Sequence, residues 1–237
     1  MSSNFKTFSF AAVLCLVASM SLTFASQGLK KYQLLNEKVD KQKNILKVLN
    51  LLESSKKLSN EEILSLYKNK VKEAWVEESG ELNFSDGEAK RKVFLYIEDG
   101  VLVQYAVPIS GYGLWSTLYG YFSLEGDGNT VAGITFYEHK ETPGLGGECE
   151  APWFQKNFVG KKITDMNDEF VSIGIFKGKV AEGIPADKQI NYVDGISGAS
   201  ITGNGIQSFL KSDLKRYESF SKRLRAGEKI NVSEELI

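Results

Sequence analysis

The stretch Asp194-Gly195-Ile196-Ser197-Gly198-Ala199-Ser200 ends a glycine-rich turn on a hydroxyl, directly before an amphipathic segment. Ile206, Phe209, Leu210, Leu214 and Tyr217 fall on one face at helical spacing, which predicts a helix beginning close to Ser200. A helix start presents N–H groups without intrahelical acceptors at the positive end of the dipole, a natural seat for a phosphate. Ser-Gly-Ala-Ser is also a common loop and cap sequence, so taken alone the turn leaves a structural reading open. Thr202 or Asn204 is a further candidate cap for the same helix.

Upstream, the periodicity switches from helical to alternating. Val93–Ile97 and Val101–Val107 are rich in β-branched and aromatic residues and flank Asp99-Gly100, which predicts a hairpin. A second hairpin is expected from Leu118–Leu124, a Glu-Gly-Asp-Gly-Asn turn and Val131–Tyr137, with a further strand over Val171–Phe176. Ser59-Asn60-Glu61-Glu62 reads as a capping box opening a helix whose inner face carries Ile63, Leu66, Tyr67 and Val71. Antiparallel hairpins interrupted by helices predict an α+β domain rather than a doubly wound sheet.

Three loops combine glycine with hydroxyl or apolar side chains: Gly111–Ser116, Glu141–Gly147 and Ser197–Ser200. A flat aromatic ring system suits apolar walls such as Leu145 and Trp115 together with backbone N–H groups for its polar edge. Each loop separately reads equally well as an ordinary turn, and Trp115 as a core aromatic.

The 29 Lys and Arg nearly balance the 30 Asp and Glu, so no nucleic-acid footprint is visible. Cys15 and Cys149 cannot form a disulfide framework, and no Cys/His cluster has metal-ligand spacing. His139 is the only histidine and no Gly-x-Ser-x-Gly elbow accompanies it, which argues against a Ser-His-Asp hydrolase. No dinucleotide fingerprint or P-loop occurs, so NADH and ATP are not expected to bind this chain.

Phe8–Phe24 is an uncharged, mostly apolar run that Ala25 and Ser26 extend to membrane-spanning length. A retained anchor is the simpler account, because Leu29, Tyr32, Leu35, Val39, Leu46 and Leu49 continue at helical spacing; a cleaved signal peptide is the alternative. Lys6 with the amino terminus on one side and Lys30 with Lys31 on the other leave orientation balanced by charge. No acidic residue interrupts the apolar run, so the anchor itself is not expected to carry Na+.

The pattern Asp-x-x-Ser-Gly-Ala-Ser/Thr resembles the flavinylation motif of the FMN-binding domain family. Gly-Leu-Trp-Ser-Thr-Leu-Tyr-Gly (113–120), His-Lys-Glu-Thr-Pro-Gly-Leu-Gly (139–146) and Asp-Gly-Ile-Ser-Gly-Ala-Ser (194–200) resemble the C subunit of the Na+-translocating NADH:quinone reductases. The Lys-Thr-Phe-Ser-Phe-Ala-Ala-Val-Leu run near the amino terminus and residues 35–46 are similar to that family's anchor and following helix. The resemblance implies a transmembrane anchor over 1–28, a helical connecting region over 29–90, an FMN-binding domain over 91–225 and a C-terminal tail over 226–237. It implies FMN esterified through its phosphate to Ser200, where the family usually has threonine, and a role for Asp194 in recognition by a flavin transferase.

Ser197, Gly198, Ala199 and Thr202 are then expected around the phosphate. Leu114, Trp115, Thr142, Gly144, Leu145 and Gly146 are expected around the ring. The implied activity is one-electron transfer within a multi-subunit complex of the bacterial inner membrane that oxidises NADH, reduces a quinone such as ubiquinone and exports Na+. The flavin domain is implied on the periplasmic side, the other subunits and the transferase are the implied partners, and no nucleic acid is expected. The G subunit of an Rnf-type electron-transport complex and a secreted, non-redox binding module are the alternatives.

Overall fold

The computed structural model describes residues 3–52, 58–85, 87 and 91–230. Residues 88–90, just before the expected start of the FMN-binding domain, and most of the expected tail (231–237) lie outside the described residues. The chain divides into two units, residues 1–40 and 41–237.

The first unit is helical and belongs to α1 (Ser3–Val48). Its apolar stretch has a mean hydropathy of 2.0 over an 18-residue window, enough by length and composition to cross a membrane. Phe8, Phe10, Leu22 and Phe24 are exposed, as suits a helix meeting lipid rather than a protein core. Three of its hydroxyls are satisfied within the helix: Ser19, Ser21 and Thr23 donate to the carbonyls of Leu16, Val17 and Ser19.

The second unit is built on a six-stranded antiparallel sheet. Its strands are β1 (Val71–Val76), β2 (Leu82–Asn83), β3 (Arg91–Glu98), β4 (Val101–Tyr112), β5 (Thr117–Glu125) and β6 (Val131–Glu138), in the order β2-β1-β3-β4-β5-β6. Asp99 and Gly100 both have positive φ, 50° and 75°, the conformation that a tight hairpin demands. Two expected hairpins are therefore present. β1 and β2 are additions: they lie within 29–90, which the sequence reading treats as helical. Charged Lys72 and Glu73 break the alternation of β1, and pairing with β3 from Val71↔Tyr96 to Val76↔Arg91 makes it a strand.

The capping box is present at α2 (Asn60–Lys70), with Ser59 and Glu62 bonding each other's backbone N–H. Val71, expected on the inner face of that helix, instead begins β1, its N–H closing the helix on the Tyr67 carbonyl. The end of α1 packs into this unit: Leu46 and Leu49 are buried, and Ser123 Oγ donates to the Val48 carbonyl at 2.6 Å.

Beyond β6 come α3 (Pro152–Lys156), β7 (Gly174–Phe176), α4 (Val180–Gly183), β8 (Tyr192–Asp194), α5 (Ser200–Lys215) and α6 (Glu218–Arg225). The strand expected over Val171–Phe176 is shortened to three residues. It pairs in parallel with β8, Phe176 opposite Asp194, rather than joining an antiparallel hairpin. α5 lies on β4 through Ile206, Phe209, Leu210 and Leu214, all buried. The approach is close: a Cβ on Gly205 would stand 2.3 Å from the Tyr112 carbonyl oxygen. That contact seats the first turns of α5 over the end of β4.

Candidate functional site

Parallel pairing of β7 with β8 makes the two following loops, 177–179 and 195–199, leave from the same end. They lie against each other: Gly195 N–H donates to the Gly178 carbonyl, and a Cβ on Gly195 would meet the Phe176 carbonyl oxygen at 2.4 Å. Gly198, with φ of 74°, then turns the chain into α5, whose first residue is Ser200. Ala199 holds the N-cap position and makes no side-chain cap bond, so the expected capping by Thr202 or Asn204 does not occur. Both residues lie inside the helix.

A cleft of about 570 Å³ opens here. The turn contributes Ser197, Gly198 and Ser200 to its lining, the loop after β7 contributes Lys177 and Lys179, and Trp153 of α3 forms part of the wall. Glu148, also at the cleft, accepts the Trp153 indole N–H at 3.1 Å and so orients the ring. Asp194 holds one of the two lysines. Its Oδ1 accepts the Val180 N–H at 2.7 Å and its Oδ2 pairs with Lys179 Nζ at 2.9 Å. Burial opposes the charge on Asp194, but these bonds and the positive charges of Lys179 and Lys161 outweigh it and hold its pKa below the ordinary value.

On the other side, Glu141 joins the glycine-rich loop it begins to the 111–116 loop and to the first turn of α5. It is 5% exposed; Oε1 accepts the N–H groups of Leu114 and Trp115 at 3.1 and 2.9 Å, and Oε2 accepts the Thr202 hydroxyl at 2.7 Å. Burial pushes its pKa up; the Thr202 hydroxyl and the N–H groups of Trp115, Leu114 and Ser116 more than reverse that, and the net shift is downward. Backbone N–H groups of the three loops are expected to serve a ligand's polar edge; those of Leu114 and Trp115 are engaged within the protein. The reason is a carboxylate 27 and 26 residues away in sequence.

The remaining expected residues divide between the two sides. Gly144 lines the cleft, and Leu145 reaches the turn: a Cβ on Gly198 would stand 2.9 Å from Leu145 Cδ2. Leu145 is 44% exposed and Trp115 62%, so both present apolar surface to solvent, and Trp115 is not a core aromatic. The Thr142 carbonyl accepts the N–H groups of Leu145 and Gly147, shaping that loop. Gly146 and Thr202 pack around Glu141 rather than lining the cleft, and the Thr202 hydroxyl is buried.

Sequence reasoning passed over Lys177, Lys179, Trp153, Glu148 and the bridging role of Glu141. Lys177-Gly178-Lys179 directly after a β-rich run is the one local signal among them, a basic pair around a glycine. His139 is a structural residue, its Nδ1 accepting the Glu141 N–H at 3.2 Å and its Nε2 standing 3.0 Å from Glu150. Cys149 is a buried free thiol whose pKa burial pushes up to about 12, which removes it from nucleophilic chemistry. No group of three or more metal-ligating side chains occurs among the described residues.

Residues 113–215 match the model of the FMN-binding domain family. The C subunit of the Na(+)-translocating NADH-quinone reductase of Pseudomonas aeruginosa is 34% identical, over 95% of this chain and 98% of that protein. The corresponding protein of Pasteurella multocida is also 34% identical, over 91% of this chain and 92% of its own length. Among solved structures, the same subunit from Parabacteroides distasonis superposes with a TM-score of 0.69 at 34% identity, covering 81% of this chain and 96% of that one. NqrC of Shewanella oneidensis superposes at 0.67 with 27% identity, covering 81% of this chain and 99% of that one.

Proposed function

Because the chain belongs to the family of C subunits of the Na+-translocating NADH-quinone reductases, we propose that Ser200 is esterified to the phosphate of FMN and that the cleft beside it holds the flavin. As a member of that family, the protein is an FMN-binding electron carrier in a multi-subunit membrane oxidoreductase, anchored by a single helix. When bound, FMN supplies the capacity to take up and release single electrons.

The residues present fit that group. A cleft of about 570 Å³ is of the size that encloses a ligand such as FMN. Lys177 and Lys179 share the lining that contains Ser200, and the first turn of α5 adds its N–H groups, a basic and hydrogen-bonding surround for a phosphate. Trp153 and Leu145 offer apolar surface for a ring, and glycines at 144 and 198 leave room for close approach. The observation that carries the reading is the meeting of Ser200 with two lysines from a separate loop.

Attachment needs help from outside the chain. A serine hydroxyl is too weakly acidic to attack unaided. On a separate flavin transferase, with FAD as co-substrate, Ser200 Oγ would take the FMN phosphoryl group, its proton passing to a base of that enzyme and AMP leaving as the pyrophosphate bond breaks. Asp194 serves this step by holding Lys179 at the cleft, where the transferase reads the loop. The flavin domain is placed on the periplasmic side, a reading supported by the family resemblance, since the flanking charges balance. There a covalent tether keeps the flavin from being lost by dissociation.

The test is flavin content of full-length protein co-expressed with a flavin transferase. After denaturing electrophoresis, wild type and Ser200→Thr are expected to fluoresce and Ser200→Ala to be dark, with peptide mass mapping locating one FMN on residue 200. Retention of FMN by the alanine variant would place the ester on another hydroxyl.

A further inference from the structure

We propose that Glu141 is the positioning residue that aims Ser200 for flavin attachment, clamping the first turn of α5 to the 114–116 loop through one buried carboxylate. The inference rests on the reading of Ser200 as the attachment site and deepens it.

The clamp joins a helix to a sheet. Thr202 is two residues beyond Ser200 in the same helical turn, and its hydroxyl donates to Glu141 Oε2 at 2.7 Å. Threonine is stiff at χ1, so holding its hydroxyl also holds the backbone that carries it and the rotation of the turn about its axis. The direction of the Ser200 side chain follows from that rotation. At its other oxygen, Glu141 is held by the N–H groups of Leu114 and Trp115, on the loop that joins β4 to β5 and is therefore tied to the sheet.

Glycine backbone approaches the carboxylate closely on both oxygens. A Cβ on Gly146 would lie 2.6 Å from Glu141 Oε2 and 2.6 Å from Thr202 Oγ1, and a Cβ on Gly113 would lie 2.8 Å from Glu141 Oε1. Backbone of the 141–147 loop therefore lies directly against the Glu141–Thr202 bond, and backbone of the 113–116 loop against the other carboxylate oxygen. Leu145, in the same loop as Gly146, rests against Gly198 and braces the turn on its other side. A glutamate in this setting does more than terminate a loop. It transfers the rigidity of the sheet to the one helical turn where the acceptor hydroxyl must point outward.

Glutamine at 141 separates positioning from charge. Its amide oxygen can accept from the 114–115 N–H groups while its NH2 donates to Thr202, whose hydroxyl turns to accept. The clamp then survives without the charge. Alanine removes it altogether.

The experiment follows the initial rate of FMN incorporation at residue 200 in full-length protein presented to the transferase and FAD, read by peptide mass. Glu141→Ala and Thr202→Val are expected to slow incorporation on the order of tenfold or more, the scale of a small misplacement of a reacting group. Glu141→Gln should recover most of the rate, and Glu141→Ala with Thr202→Val should be no slower than Glu141→Ala alone, because both remove the same link. Circular dichroism establishes that each variant is folded; if Glu141→Ala does not fold, Thr202→Val and Glu141→Gln carry the test. A folded Glu141→Ala variant labelled at the wild-type rate, Glu141→Gln as slow as alanine, or multiplicative losses in the double variant would each overturn the positioning role. FMN on the Ser200→Ala variant would instead overturn the attachment site, a separate outcome of the same mapping.

Discussion

Two carboxylates flank the start of α5, and they are embedded in different ways. Glu141 is buried and takes its hydrogen bonds from neutral donors, the N–H groups of Leu114 and Trp115 and the Thr202 hydroxyl. Asp194 is half-buried and divides its oxygens between one N–H and the ammonium of Lys179, a side chain that is 67% exposed. The first arrangement is closed and serves rigidity. The second leaves a solvent-exposed cation in the lining of the cleft, paired with Asp194. One side of the site is a closed clamp and the other an open ion pair.

Removing the clamp is the sharpest way to break that contrast. Glu141→Ala strands a buried hydroxyl and a set of N–H groups, and is expected to lower the stability of the detergent-solubilised full chain by about 2–3 kcal/mol. Urea unfolding followed by tryptophan fluorescence measures it. A cost below that of Asp194→Ala would erase the distinction.

Asp194→Ala should cost less, about 1 kcal/mol, since one N–H loses its acceptor and the exposed ion pair contributes little. Asp194→Asn retains an oxygen for Val180 and should recover part of the loss. High salt should shrink the penalty at Asp194 and leave that at Glu141 unchanged, because screening reaches the exposed pair only. Equal salt dependence in the two variants would place both carboxylates in the same environment.

The smallest effect is a pH dependence. Both carboxylates have folded pKa values below their ordinary values of 4.5 and 3.8. Each contribution is therefore complete above the ordinary value and disappears as pH falls through the folded one. Wild type and Glu141→Gln should accordingly differ in stability near neutrality and converge in acid, which a series of unfolding curves would follow. A difference that widens as pH falls would mean that Glu141 is held protonated.

Much of the framework was legible because its causes are local. The Asp99-Gly100 turn, the Ser59–Glu62 capping box and the apolar face of α5 each depend on residues within a few positions of one another. The motif around Ser200 was visible for the same reason, and resemblance supplied its chemistry. β1 escaped because its charged residues blur the alternation and only its ladder with β3 makes it a strand. The pairing of β7 with β8 escaped because three residues carry no periodicity, and with it went Lys177 and Lys179 as companions of Ser200.

By itself, the sequence determined an apolar amino-terminal helix, the hairpins of an α+β domain and a hydroxyl waiting at a helix start. Only the tertiary structure decided what surrounds that hydroxyl. Glu141 reaches Thr202 across 61 residues, and Lys179 reaches Asp194 across 15. Spacing along the chain encodes periodicity and turns, whose energies arise between near neighbours. A clamp and a cationic cleft arise between segments that meet only after the sheet is paired and the helix has packed against it.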